Sequence, residues 1–115
     1  MADKSKPEVW TGERCFISDL INDNDWPALS LARCRVEPGV TTELHALSVL
    51  EFYVVERGRG RMRVGDDAPF DIGPGDTVTI PQHAAQSVTN TGDTDLVFVC
   101  LCTPRFLQDC YTSLE

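Results

Sequence analysis

The sequence is short of several things, and each shortage removes a class of protein. No apolar run comes near the roughly 20 residues that a membrane-spanning helix needs. Basic side chains are scarce: 10 Lys and Arg stand against 18 Asp and Glu, for a formal charge of −8. That sign argues against nucleic acid and against an anionic membrane as partners, because both attract basic surfaces. The opening residues MADKSKPE are polar and lack an apolar core, so no secretion signal is expected. The cysteines (Cys15, Cys34, Cys100, Cys102 and Cys110) are odd in number and form no CxxC pair. Reduced thiols in a cytoplasmic protein are therefore expected, not a disulfide framework. No stretch keeps a helical period, nothing repeats at a fixed spacing, and no segment is of low complexity.

What is present suits one small domain with a single core: 115 residues, 42% apolar and 24% charged. Residues 1–9 read as a tail. Trp10 to Leu20 carries apolar residues at about every second place, a strand signal. Residues 21–25, IleAsnAspAsnAsp, form a loop of turn-formers, and Leu29 to Val36 is a strand entering the Glu37-Pro38-Gly39 turn. Arg59, Arg61 and Arg63 alternate with Gly60, Met62 and Val64, the pattern of a half-buried strand with a solvated arginine face. Short strands follow at Phe70 to Ile72, Thr77 to Ile80 and Gln86 to Asn90, divided by glycine and proline turns. Leu96 to Cys102 is the most apolar run and reads as a strand buried on both sides, stopped by Pro104. Residues 105–115 are expected to be a tail with one or two helical turns. Strands this short, with turns roughly every 8 to 12 residues, indicate an all-β sandwich or barrel over residues 10–104.

The centre of the chain is Pro38 to Gly58, PGVTTELHALSVLEFYVVERG. His45, Leu47, Val49, Glu51, Tyr53 and Val55 fall on alternate positions, so an extended segment puts all of them on one sheet face. A His and a Glu among apolar neighbours mark either a metal or acid–base site, or a polar pair tolerated at an edge.

The spacing of turns and polar residues resembles the cupin family, small jelly-roll barrels (double-stranded β-helices). Its first motif is G-x5-H-x-H-x3,4-E-x6-G. Gly39, His45, Glu51 and Gly58 match it, and Leu47 stands at the second histidine. The second motif is G-x5-P-x-G-x2-H-x3-N. Gly75, Pro81 and Asn90 match, with His83 at the usual glycine and Gln86 at the usual histidine. The resemblance implies a jelly-roll fold and a divalent metal (Fe, Mn, Zn or Ni) held by His45, Glu51 and Gln86. It implies a small organic molecule in the barrel, dioxygenase-like oxidoreductase chemistry, and a homodimer.

Each residue has a second reading. His45 is otherwise a buried imidazole bonded to a neighbour, and Glu51 a carboxyl paired with an arginine or bridged by water. Gln86 is otherwise a structural amide, and Tyr53 core packing in place of a proton donor. His83 sits on a turn that faces solvent. Cys34, Cys100 and Cys102 read as small buried hydrophobes. Two alternatives to metal-held oxygen chemistry stay open. One is an isomerase or lyase, with a metal as Lewis acid or with Glu51 as base and His45 or Tyr53 as acid. The other is a binding or sensing domain with a decayed metal site, which a barrel plugged by aliphatic groups would favour.

Overall fold

Glycine and proline cut the chain into short extended pieces, and the pieces close on one another as two antiparallel sheets. The computed structural model describes residues 6–115. Its strands are β1 (Val9–Trp10), β2 (Phe16–Ile21), β3 (Ser30–Val36), β4 (His45–Leu47), β5 (Leu50–Arg57) and β6 (Gly60–Val64). They continue as β7 (Phe70–Ile72), β8 (Thr77–Ile80), β9 (Gln86–Asn90), β10 (Leu96–Thr103) and β11 (Tyr111–Ser113). One sheet has the order β1-β2-β3-β10-β5-β8 and the other β11-β4-β9-β6-β7. This is the expected jelly-roll barrel. Among the described residues no helix is long and apolar enough to cross a membrane.

The apolar run at β10 lies between β3 and β5, pairing Phe98 with Cys34 on one side and Val55 on the other. Its inward residues meet Val36, Tyr53, Met62, Ile80 and Val88 in the main core. Burial of each such side chain contributes about 1.5–3 kcal/mol relative to exposure. On β6 the alternation behaves as read: Met62 and Val64 are buried, while Arg61 and Arg63 face solvent.

The central segment keeps its alternation while changing sheets. His45, Leu47, Val49, Glu51, Tyr53 and Val55 are all buried. However, β4 belongs to the second sheet and β5 to the first, with the crossing at Ser48 and Val49. A corner at this point lets one period-2 pattern line the interior from two walls.

Three expectations are corrected. The single strand read over Trp10 to Leu20 is split by a turn, closed by Arg14 N–H to Thr11 O (3.1 Å) and Thr11 N–H to Cys15 O (3.0 Å). Of the tail expected at 1–9, residues 1–5 lie outside the described residues. Beyond them Lys6 N–H bonds Asp19 O at 3.2 Å and Val9 pairs with Ile17, so the chain runs beside β2. The expected C-terminal tail has one 3-10 turn, Gln108–Cys110, and then becomes β11, paired to β4. The open backbone edge of a three-residue β4 is what draws it in.

The hairpin from β5 to β6 turns at Gly58, whose φ is +87°. A Cβ there would stand 2.5 Å from Asp95 O and 2.7 Å from Leu96 Cα, both backbone atoms that cannot swing aside. Gly58→Ala is expected to lower unfolding free energy by about 2 kcal/mol or more in urea titration. A loss below about 0.5 kcal/mol would contradict this account of the turn.

Candidate functional site

Between the sheets lies a cavity of about 490 Å³, within the range of small-molecule sites. Its walls include Leu47, Phe98 and Phe106, and its polar groups include Glu13, Glu43, His45, Glu51, Tyr53 and Tyr111. β4 carries His45, β5 carries Glu51 and Tyr53, the turn after β1 carries Glu13, and β11 carries Tyr111.

His45 is buried and its ring stacks on Tyr111 with centroids 4.7 Å apart. Its Nδ1 stands 2.7 Å from Glu43 O. A carbonyl only accepts, so Nδ1 carries the proton and Nε2 keeps its lone pair. That Nε2 lies 3.8 Å from Glu13 Oε1, too long for a direct hydrogen bond. Burial lowers the pKa of His45 and keeps it neutral, although the Glu43 carbonyl pulls the other way.

Glu51 is 6% exposed. The Cys102 thiol reaches its Oε2 at 3.7 Å, and its Oε1 has no hydrogen-bond partner among the described residues. Burial pushes its pKa up to about 7, against the opposing pull of Gln86 and Cys102. Glu13 is also pushed up to about 7, by burial first and then by the charges of Glu51 and Glu43.

Gln86 is fully buried on β9, directly across from His45. Its Oε1 accepts the Tyr53 hydroxyl proton at 2.8 Å, and its Nε2 has no hydrogen-bond partner among the described residues. The structure thus buries all four expected residues, and it pairs two of them, Tyr53 and Gln86, with each other. The proton that would make Tyr53 a donor is committed to Gln86, burial raises the Tyr53 pKa well above its usual value, and its ring stacks on Phe98. Gln86 holds the Tyr53 hydroxyl and is not among the residues that line the cavity.

His83 is exposed on its turn, as expected, with φ at +67°. All five cysteines are free and buried. Cys34 and Cys100 lie with their sulfurs 3.4 Å apart, and burial pushes the Cys15 thiol up to about 12, away from the thiolate. Sequence reasoning missed Glu13, Glu43 and Tyr111. None belongs to a recognisable motif, and Tyr111 fell in what read as a tail.

The chain matches the cupin domain family over residues 32–102. It is a cupin. Along 98% of its length it is 31% identical to an uncharacterised protein of Methanocaldococcus jannaschii, of which it covers 91%. Bacillus subtilis oxalate decarboxylase superposes with a TM-score of 0.79 at 25% identity, over 95% of this chain and 30% of that one. A cupin-like protein of Thermotoga maritima superposes with a TM-score of 0.76 at 20% identity, over 88% of this chain and 76% of that one.

The residues of this cupin do not fit the metal that the family resemblance implies. Leu47 replaces one imidazole with a side chain that has no donor atom. Gln86 replaces another with a neutral amide, whose oxygen already accepts the Tyr53 hydroxyl and which is not among the residues lining the cavity. Among the described residues no three His, Cys, Asp or Glu side chains are grouped to hold an ion. The remaining polar set is suited to holding and exchanging protons near neutral pH.

That property sets a pH dependence. The free carboxyl titrates at 4.5 and the buried Glu51 at about 7, so the native chain holds the extra proton in between. Glu51 therefore stabilises the fold at acid pH, and the contribution is lost as pH rises from about 4.5 to about 7. Glu13 acts in the same sense. His45, with its pKa lowered from 6.5, acts oppositely and loses stabilisation as pH falls below that value. Glu51→Gln should be more stable than the parent at pH 8 by on the order of 3 kcal/mol, with the gap closing toward pH 5. Urea unfolding of both proteins across this range reads it, and a pH-independent gap would refute the assignment.

Proposed function

We propose that this cupin binds a small organic molecule in the barrel cavity and exchanges a proton with it, in the manner of a metal-independent isomerase or lyase. The observation that carries this reading is Glu51: a buried carboxyl that lines a roomy cavity, with one oxygen unpartnered and a pKa pushed up to about 7. A general acid–base works best when its pKa lies near the working pH. Glu51 is assigned as the group that takes and returns the proton. His45 Nε2 and Glu13 accept hydrogen bonds from the ligand, and Leu47 and Phe98 exclude water. The sensing alternative shares the binding half of this proposal and lacks the proton transfer. The expected dioxygenase-like chemistry is not carried forward, because the donor set does not fit the ion it needs.

The test is deuterium incorporation from D2O into a panel of small ketones, aldehydes and amino-carbonyl compounds, read by NMR. Exchange is expected to survive exhaustive chelation and to fall at least 100-fold in Glu51→Gln. Loss on chelation with recovery on adding Mn or Fe would overturn the metal-independent reading.

The cytoplasmic address is carried forward as a proposal, supported by five free buried thiols that suit a reducing compartment. So is the homodimer. Strand β1 is a sheet edge with Val9 and Trp10 exposed by 61% and 53%, an apolar edge that a second copy would cover. Sedimentation of the 12.7 kDa chain is expected to give twice that mass, and Trp10→Glu to return it to monomer. A parent that sediments as a monomer at high micromolar concentration would end this proposal.

A further inference from the structure

The ionisable groups lining the cavity are Lys6, Glu13, Asp19, Glu43, His45 and Glu51. Four are carboxyls, and His45 is held neutral by burial. Lys6 is exposed, on the segment beside β2. Arg14 is adjacent to Glu13 in sequence, yet its guanidinium is spent on Glu115 (2.7 and 3.0 Å) and Thr41 O (2.8 Å). Arg33 and Arg35 pair with Glu56, Glu8 and Asp95. Among the described residues no guanidinium lines the cavity.

Among the buried polar groups there, two acceptors on neighbouring strands and turns are left open. His45 Nε2 keeps its lone pair because Nδ1 serves Glu43 O. Glu13 Oε1 lies 3.8 Å from it, and neither satisfies the other. Glu51, more than nine-tenths buried, lines the same cavity, and its Oε1 has no hydrogen-bond partner among the described residues. An unpaired acceptor this deep is costly unless a ligand supplies the donor. A carboxylate or phosphate ligand would bring more acceptors and more negative charge. Oxalate, the substrate named for the superposing decarboxylases, would face Glu13 and Glu51 with only the exposed Lys6 to set against four carboxyls. A primary ammonium carries three N–H donors and no acceptor, the complement of this set.

We propose that the cavity takes a small primary amine, its ammonium seated among Glu13, His45 Nε2 and Glu51, and its carbon skeleton against Leu47, Phe98 and Phe106. The proposal deepens the small-molecule reading above and rests on it for the use of this cavity. It does not depend on the proton-transfer step. Asp19 and Glu43 add negative field at the walls, and the Tyr111 hydroxyl fixes Glu43 at 2.5 Å.

The probes are n-hexylamine and benzylamine, set against hexanoate, phenylacetate and n-hexanol, titrated calorimetrically into the full chain at pH 8. Both amines are expected to bind at least ten-fold more tightly than hexanol, with no measurable binding of the two acids. Glu13→Gln and Glu51→Gln should each weaken the amines at least five-fold. Asp71→Asn makes the same charge change on the outer surface, at the Arg61 pair, and should leave affinity unchanged. Acids binding as well as amines, or amine affinity unmoved in both cavity variants, would overturn the proposal. Hexanol binding as tightly as hexylamine would remove the cation inference and leave the cavity reading standing. Failure of every probe to bind would remove both.

Discussion

A carboxyl group held out of water with one oxygen unserved is the constraint around which the rest of this barrel is arranged. Glu51 could not sit on the inner face of β5 in a solid aliphatic core, because an isolated buried charge is among the most expensive features a fold can carry. Two things reduce that cost here. Its pKa rises to about 7, so the group is part-neutral at ordinary pH. The barrel also leaves space beside it, about 490 Å³, where a donor can enter. The cavity and the shifted carboxyl are two consequences of one placement.

The ends of the chain complete the site that the middle begins. Glu13 reaches it from the turn after β1, a turn anchored by Glu43 N–H to Glu13 O at 3.0 Å. Glu115 grips Arg14 with both carboxylate oxygens and also accepts Leu44 N–H at 2.6 Å. The Arg14 pairing drops the Glu115 pKa to about 2. β11 lays Tyr111 across His45. Residues from 13, 43 to 45 and 111 to 115 thus hold one rim together, by contacts separated by as much as 101 positions in sequence. Such a rim depends on the whole barrel being closed before it can form.

How much of this could be read from the sequence depended on whether a residue's neighbours were local. The glycines at 39, 58 and 75 announce turns because only glycine takes their positive φ cheaply, and all three adopt it. Asn90 was visible as a motif position, and the structure supplies its reason: Nδ2 donates to Val36 O and Thr94 O while Oδ1 accepts Gly92 N–H. Period-2 alternation placed His45, Glu51 and Tyr53 inward correctly, even across a change of sheet. It could not say which partner each would meet. That Gln86 would be taken by Tyr53, that Glu13 would face His45, and that the last residues would add a strand are long-range pairings. No local pattern encodes them.

The substitutions at the motif positions have an electrostatic consequence beyond the loss of ligands. Three imidazoles and a dication would more than balance one carboxylate. With leucine at 47 and glutamine at 86, two ligand positions for a dication that would offset Glu51 are lost or weakened, and Glu13 adds to the same sign. Glutamine supplies an amide dipole that bears on Glu51 and lowers its pKa only partly. Leucine supplies volume and excludes water, which strengthens every remaining charge interaction in the cavity. The side chains that line the cavity therefore carry mostly one sign, four carboxyls against Lys6. A cavity of this sign can reach balance by holding protons or by admitting a cationic guest, and the two are linked, since a guest that arrives with its own charge lets Glu51 and Glu13 release theirs.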